Sequence, residues 1–365
     1  MIEDGFYVAY FHLVPVAARM WGRALLLVLV MAFTVDGEGV QDTSDTQLKV
    51  GRAIDIFTRF GYLSLSMKVV PRNDSDPNWI FREPSVDVFT DLNPLIIHPR
   101  LSGKKLVFEG DFHMEFCDNL RQLLQAYFRD FTFERMQRPW RAFTASWTRD
   151  TISKHLGINS SFVQGDHCYV LVRLSRFRDT AKLTRLPNNI NISEMVAREI
   201  DNVRMGDVTS VLLFIRKYGS HFINSYITGN SLYQVFVYDR PVYREIKERL
   251  KTHGISNLSN TELSSFFSPW YAQHMGKIKV ASGNKTVENW AVNKLRIHYY
   301  IFTYPSLLKI HGNPQLLGVL NDVLQNEALL QLDMKSLAPA FKDPEKREWF
   351  EEVLDNYLKL WEVNL

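Results

Sequence analysis

Cysteine is nearly absent from this 365-residue chain, Cys117 and Cys168 being the only two. So few exclude a small module built on disulfides. Charge of one sign is also lacking: 43 basic side chains face 40 acidic ones, and a formal net charge of +3 makes no electrostatic case for nucleic acid. The patterns whose spacing imposes chemistry are missing as well. There is no G-x-S-x-G elbow, no H-E-x-x-H zinc helix, no C-x-x-C pair, no P-loop and no dinucleotide-binding glycine run. The expectation is therefore no catalytic residue, no metal site and no cofactor. No internal repeat or low-complexity tract occurs, and 46% hydrophobic residues suffice for the core of one large domain or two ordinary ones.

Long apolar runs are absent with one exception. Ala24 to Phe33 is uninterrupted, follows Arg19 and Arg23, and gives way to small and polar residues up to Gly39. It falls short of the roughly 20 apolar residues of a membrane span, and has the layout of a secretory signal peptide rather than an anchor. Cleavage is expected near Thr34 or Gly37, so residues 1–37 would be removed and a polar leader, 38–47, would follow. Met20 is an alternative start that would make residues 1–19 an upstream extension. A secreted, extracellular chain meets an oxidising compartment. Cys117 and Cys168 can pair there, closing a loop of about 50 residues worth ~4 kcal/mol in the chain-entropy model, or remain two buried thiols. Asn73, Asn159, Asn191, Asn257 and Asn284 each begin an Asn-X-Ser/Thr acceptor for N-glycosylation.

The chain is organised around Asp207 to Tyr238, where the hydrophobic period changes. Val208, Val211, Leu212 and Ile215 recur at helical spacing, Asp207 can cap the helix, and Arg216 and Lys217 suit its negative end. Gly219 stops it. The next residues alternate with period two, as a strand does, and aromatic and β-branched residues resume after Gly229. A glycine inside a strand pattern marks a bulge or bend.

Tyr218-Gly219-Ser220-His221-Phe222, with Gly229 further on, resembles the signature of the membrane-attack-complex/perforin superfamily: an aromatic, Gly, Thr, His and an aromatic, then a strand-bending glycine. Ser220 stands where the family has threonine and keeps the hydroxyl. The resemblance implies an α+β fold with a bent central antiparallel sheet flanked by helical clusters, over residues 48–335, and a helical tail at 336–365. Strands at Arg141–Arg149 and Tyr169–Arg178 would belong to that sheet. Movable clusters would lie near residues 150–168 and 240–277, and Asn289 to Leu308 resembles the segment that closes such domains.

The remaining text reads in order. Alternation from Tyr62 to Val69 predicts a first strand, residues 82–104 a long connection, and Leu106 to Phe112 a short strand. Asp118 is placed to cap a helix bearing Leu120, Leu123, Leu124, Tyr127 and Phe131. After a turn at Pro187 a helix to Ile200 is expected, with Asn191 as cap and Glu194 completing a capping box. Val242, Ile246 and Leu250 form a helical stripe, Ile278 to Ala281 a strand, and Pro314–Leu332 and Pro344–Trp361 read as helices.

Two constellations invite a chemical role. Ser220 beside His221 suggests a nucleophile and base, but neighbours on a strand point to opposite faces, so these side chains are expected to diverge. Arg173, Arg176, Arg178, Lys182 and Arg185 can form a patch for a polyanion or simply a solvated face, the preferred reading.

Perforin-like domains that attack membranes unfurl their helical clusters into barrel hairpins, each strand needing about 9–11 residues with an apolar alternate face. In Tyr243–Thr252 one alternate set is Tyr243, Glu245, Lys247, Arg249 and Lys251; the other carries Arg244 and Glu248 among Ile246, Leu250 and Thr252. An arginine at the bilayer midplane costs about 2–4 kcal/mol in a barrel. Residues 255–265 and Asp150–Asn159 have no continuous apolar set either, and a glycan on Asn159 or Asn257 could not cross a bilayer. No stable membrane insertion is expected, and a membrane-perturbing pore is the alternative. Within the family the likeness is greatest to an insect extracellular member. That implies local activation of a receptor tyrosine kinase in embryonic terminal patterning, with a growth-factor-like ligand, its receptor or the eggshell matrix as partner.

Overall fold

A computed structural model of the chain describes residues 48–58, 60–61, 63, 85–90, 92–97, 110–183, 190–253, 259–299 and 301–364. The export signal, the leader, Asn73, Asn257, Arg185, the Pro187 turn and all but Leu63 of the strand expected over Tyr62–Val69 lie outside the described residues. In chain order the strands and helices are β1 (Arg52–Ile54), β2 (Ser85–Asp87), β3 (Pro94–Ile97), β4 (Gly110–Cys117), α1 (Leu120–Tyr127), β5 (Phe131–Phe133), α2 (Arg141–Thr144), α3 (Arg149–Leu156), β6 (Cys168–Leu183), α4 (Glu194–Asn202) and α5 (Val208–Tyr218). They continue as β7 (His221–Tyr238), α6 (Arg240–His253), α7 (Asn260–Phe266), β8 (His274–Met275), β9 (Lys279–Val280), α8 (Lys285–Lys294), β10 (Arg296–Tyr299), β11 (Phe302–Pro305), α9 (Pro314–Val323), β12 (Ala328–Ser336) and α10 (Pro344–Asn364).

The fold is α+β. Its frame is an antiparallel sheet in which β4, β6, β7 and β12 lie side by side in sequence order, flanked by helical clusters. Gly229 does not interrupt β7. Instead irregularities fall on its two neighbours, between Phe177 and Asp179 on β6 and between Leu329 and Gln331 on β12, opposite the Ile227–Gly229 stretch of β7. Paired bulges bend a sheet, and β7 changes its packing at this level.

Below the bend, Phe222 and Ile223 join a core with Ile54 of β1, Phe214 of α5, Ile200 of α4 and Phe341, Phe350 and Leu354 of the C-terminal segment. Above it both faces of the sheet are buried. Val170, Val172, Leu232 and Phe236 pack under α6 to α9, whereas Tyr169, Leu171, Tyr233, Val235 and Val237 pack under α1 and α3. Strand alternation thus assigns each helical cluster its own face. The last helix belongs to the core: Phe350, Leu354 and Leu358 are fully or almost fully buried.

Several boundaries depart from the expected ones. The Arg141–Arg149 strand is absent. Arg141–Thr144 is a helical turn and Arg149 opens α3, because Ala142 and Phe143, neighbours in sequence, are both buried and Phe143 stacks on Phe128 at 4.4 Å. Alternation cannot bury adjacent side chains on one side. Asn119, not Asp118, caps α1, its Oδ1 accepting from Gln122 N at 3.0 Å. Ser193, not Asn191, caps α4. The helix expected over Pro314–Leu332 stops at Val323, and Ala328–Ser336 is a strand with every second residue buried. Leu329, apolar and half-buried in the other phase, masks that period in the sequence. On α5 the buried stripe is Val211, Phe214, Ile215 and Tyr218, with Val208 46% exposed, so the helix is rotated from its expected face.

Candidate functional site

The signature residues occupy the passage from α5 into β7. Asp207 Oδ1 accepts from Thr209 N and Ser210 N at 3.0 and 3.3 Å and starts the helix. Gly219 ends it at φ +98°, where a Cβ would lie 2.8–2.9 Å from the backbone of Ile54. Only glycine admits both the left-handed torsion and the close approach of β1. Ser220 N then donates to Ile54 O at 3.0 Å, Leu337 N donates to Ser220 O at 3.0 Å, and Phe222 meets Phe89 edge to face at 5.1 Å. Further along, a Cβ on Gly229 would stand 1.9 Å from Arg176 O. Tyr218, Gly219, Ser220, His221, Phe222 and Gly229 are thus brought to one junction and the bend above it, all of them buried.

Ser220 and His221 do not diverge. Ser220 precedes the strand, in a bend after Gly219, so strand alternation does not govern it. Its hydroxyl lies 3.0 Å from His221 Nδ1, while His221 Nε2 lies 3.0 Å from Glu134 O. A carbonyl only accepts, so Nε2 carries the proton and Nδ1 accepts from the Ser220 hydroxyl. Desolvation pushes the imidazole down to about 4, which keeps it neutral at pH 7. Both residues are 0% exposed. No substrate reaches them, and the pair is a buried polar staple. Glu134, to which the sequence drew no attention, completes it. Its N–H donates to Met334 O at 2.9 Å and its Oε2 accepts from Ser336 N at 2.7 Å.

The basic patch is dispersed. Arg173 is buried, its guanidinium over the rings of Tyr127 and Tyr233 at 5.1 and 5.9 Å and donating to Tyr127 O at 2.9 Å. Arg176, also buried, donates to Leu324 O at 3.0 Å, and Arg178 to Asn321 O at 3.2 Å. Lys182 is exposed, and Arg185 lies outside the described residues. These arginines tie the sheet to helix ends on both faces and present no common surface for a polyanion.

Cys117 and Cys168 are free and buried, and they belong to the cores on opposite faces of the sheet. Tyr169 is the register partner of Cys117, so Cys168 projects the other way and the disulfide is not formed. Burial pushes the Cys117 thiol up to about 12. Asn159 and Asn191 are exposed sequons. Asn284 Nδ2 donates to both carboxylate oxygens of Glu327, at 3.1 and 3.2 Å.

The helical clusters meet above the sheet. Arg240 at the start of α6 makes a bidentate ion pair with Asp166, its Nε to Oδ2 distance 2.8 Å, and Lys247 pairs with Asp118 at 3.0 Å. Tyr243, Ile246 and Leu250 are buried, leaving Arg244 and Glu248 exposed. A groove of about 320 Å³ between α4 and α5 is lined by Glu199, Ser210, Leu213, Phe214 and Lys217. Among the described residues no group of three or more His, Cys, Asp or Glu could hold a metal, and no helix is long and apolar enough to cross a membrane.

No protein-family model matches the chain, and no characterised protein matches it by sequence. Solved structures do overlap it. GNIP1Aa from Chromobacterium piscinae aligns at TM-score 0.45 and 12% identity, over 86% of this chain and 57% of that one. A putative cell invasion protein with a MAC/Perforin domain from Bacteroides thetaiotaomicron aligns at TM-score 0.38 and 10% identity, over 87% and 61%. Astrotactin-2, described as a vertebrate-specific, perforin-like membrane protein involved in neuronal development, aligns at TM-score 0.34 and 13% identity, over 83% and 98%. The chain therefore spans 57% and 61% of the length of the first two. At TM-scores below 0.5, function has to be argued from the chain's own residues.

Proposed function

We propose that this chain is a perforin-like protein that does not build a pore: secreted, non-enzymatic, and acting through extracellular proteins or matrix. The observation that carries this is the composition of α6. Its apolar residues, Tyr243, Ile246 and Leu250, are spaced for one helix face and are buried on the sheet, while Arg244 and Glu248 fall on what would be the lipid face of an unfurled strand. Inserting such strands would place these charges in the bilayer at about 2–4 kcal/mol for each arginine at the midplane. The ion pairs Arg240–Asp166 and Lys247–Asp118 further favour helices that stay docked. The burial of Ser220 and His221 argues against hydrolysis at the signature.

The chain's signature and its single-domain, secreted layout resemble those of the insect extracellular protein Torso-like. The finer proposal is accordingly a role in local activation of a receptor tyrosine kinase during embryonic terminal patterning, through the receptor's growth-factor-like ligand. Calcein release tests the non-pore half. The purified chain, applied to liposomes of mixed neutral and anionic lipid, should release no dye at concentrations where a lytic perforin-like control empties them. Efficient release would overturn the proposal and establish the membrane-perturbing alternative.

A further inference from the structure

One large apolar side chain of α5 is not used by the core beneath it. Val211, Phe214, Ile215 and Tyr218 are buried, yet Leu213 stands 58% exposed on the outer side. It borders the groove of about 320 Å³ between α4 and α5, whose lining brings Phe214, Arg216 and Lys217 of α5 to Glu199 and Asn202 of α4. Phe214, almost fully buried, is its floor. Met195, one turn before Glu199 on α4, is 70% exposed and extends the apolar rim by helical spacing. A volume at the lower end of the range of ligand pockets, about 300–1,000 Å³, holds one or two large side chains.

The lining has two cations and one acid. That acid is already engaged: Lys217 Nζ bonds Glu199 Oε1, and Asn202 Nδ2 donates to Oε2 at 3.4 Å. The hydrogen bond from Lys217 holds the Glu199 carboxyl below the ordinary carboxylate range. Ser210 is satisfied too, donating to Asp207 O at 2.7 Å and accepting from Arg204 N at 3.1 Å. Arg216 is exposed and has no hydrogen bond or ion pair with any described residue. Asp55 lies within its electrostatic reach, but the Asp55 oxygens are taken by Phe57 N at 2.9 Å and Thr58 Oγ1 at 2.7 Å. Among the described residues of the groove, one guanidinium is thus left uncommitted beside an apolar floor.

We propose that this groove binds a short segment of an extracellular partner in which a large apolar side chain stands next to a carboxylate. The apolar group covers Leu213 and Phe214. The carboxylate takes the fork of Arg216, whose planar donors match two carboxylate oxygens at once. Charge complementarity fixes the sign, because a basic segment would meet Arg216 and find Glu199 already bonded to Lys217. An exposed ion pair contributes little by itself, so the apolar contact supplies affinity and the charge supplies choice. This site deepens the reading that the chain works through extracellular proteins, on which it rests, by stating the chemistry a partner must present.

Surface plasmon resonance on immobilised peptides tests it. The full chain is passed over biotinylated, amidated Gly-Asp-Xaa-Glu-Gly with Leu, Phe or Trp at the centre. Controls carry Lys in place of both acids, or Ser at the centre. The acidic apolar peptides should bind, and both controls should bind at least ~10-fold more weakly, the equivalent of about 1.4 kcal/mol. Leu213→Ser should weaken binding roughly tenfold with thermal stability unchanged, because its side chain is exposed. Arg216→Gln should remove the preference for acid over lysine, and Arg216→Glu should reverse it, a result that loss of folding cannot produce. Leu360→Ser, at a 44% exposed leucine on α10, should bind as wild type does. The proposal fails if none of the acidic apolar peptides binds, if the lysine peptides bind equally well, or if the Leu213 and Arg216 variants bind as wild type. A wild-type dimer in sedimentation velocity that Leu213→Ser abolishes would also overturn it, assigning the groove to a second copy. No membrane enters these measurements. Failure here without dye release therefore overturns the groove proposal alone, and dye release with selective peptide binding sinks only the non-pore reading.

Discussion

His221 shows what a buried signature residue does. Its Nε2–H donates to Glu134 O and its Nδ1 accepts a hydrogen bond from the Ser220 hydroxyl, so the folded state requires the neutral ring. A folded-state value of about 4, against the ordinary 6.5, means that the unfolded chain binds more protons throughout that window. Stability is complete above pH 6.5 and falls as pH drops toward 4, by about 2–3 kcal/mol at pH 4.5 from this group. Urea unfolding at pH 7.5 and 4.5 should show that loss in the wild type and a smaller one in His221→Gln, which itself costs about 1–3 kcal/mol at pH 7.5 through imperfect hydrogen bonding. Gly229 is a steric case. Alanine there would push into Arg176 O, so Gly229→Ala should destabilise by on the order of 3–5 kcal/mol. Gly206→Ala, where nothing lies within 4 Å of the added Cβ but φ is +78°, should cost only about 1 kcal/mol. Thermal unfolding of the two variants makes the comparison. Both glycines of the signature could be placed from sequence, whereas the partner of His221 could not. Glu134 is 87 positions away and its contribution is a backbone carbonyl, which every residue possesses.

At the scale of elements, the amphipathic period was a good guide wherever it was clean. On α6, Ile246 and Leu250 of the expected stripe are buried and Val242 is half-buried, while the neighbouring Tyr243, outside that stripe, is buried as well. Ile246→Ala should therefore cost about 2–5 kcal/mol, and Arg244→Ala, on the outer face, within about 0.5 kcal/mol of nothing. Chemical denaturation of both would show whether this cluster is a docked helix. The period misled where two competing patterns overlapped. Leu329 puts an apolar, half-buried side chain in the other phase of β12, so ALLQ extends the preceding helical text although Ala328, Leu330, Leu332, Met334 and Ser336 are the buried set. At Arg141–Arg149 the text was short and aromatic, and ring stacking of Phe143 on Phe128 decided for a helical turn.

For the whole molecule, the C-terminal helix is the clearest case of a segment whose role depends on its neighbours. Phe350 stacks on Phe341 at 4.6 Å and meets Phe214 of α5 at 6.1 Å, while Trp361 lies 5.6 Å from Phe60. Arg135 reaches Asp355 at 2.7 Å. Truncation after Asp343 would strip the lower core of Phe350, Val353, Leu354 and Leu358, each worth about 1.5–3 kcal/mol of burial. That sum rivals the total stability of an ordinary domain. The truncated chain should fail to accumulate as soluble protein, whereas removal of 38–47 should be tolerated; soluble yield from parallel expressions reads the difference.

By itself the sequence determined what depends on neighbours in the chain. Those features are the α5–Gly219–β7 passage, the helical character of α6, and the charges that alternate along Tyr243–Thr252. Period, capping and glycine torsions act within a few residues and are written locally. Only the tertiary structure decided that Cys117 and Cys168 face opposite sides of one sheet, that the arginines of β6 are packed inward, and that Ser220 meets His221 above Glu134. Such outcomes follow from strand register and from the bend at Gly229, which bring together segments tens to hundreds of residues apart, and no local pattern encodes that distance.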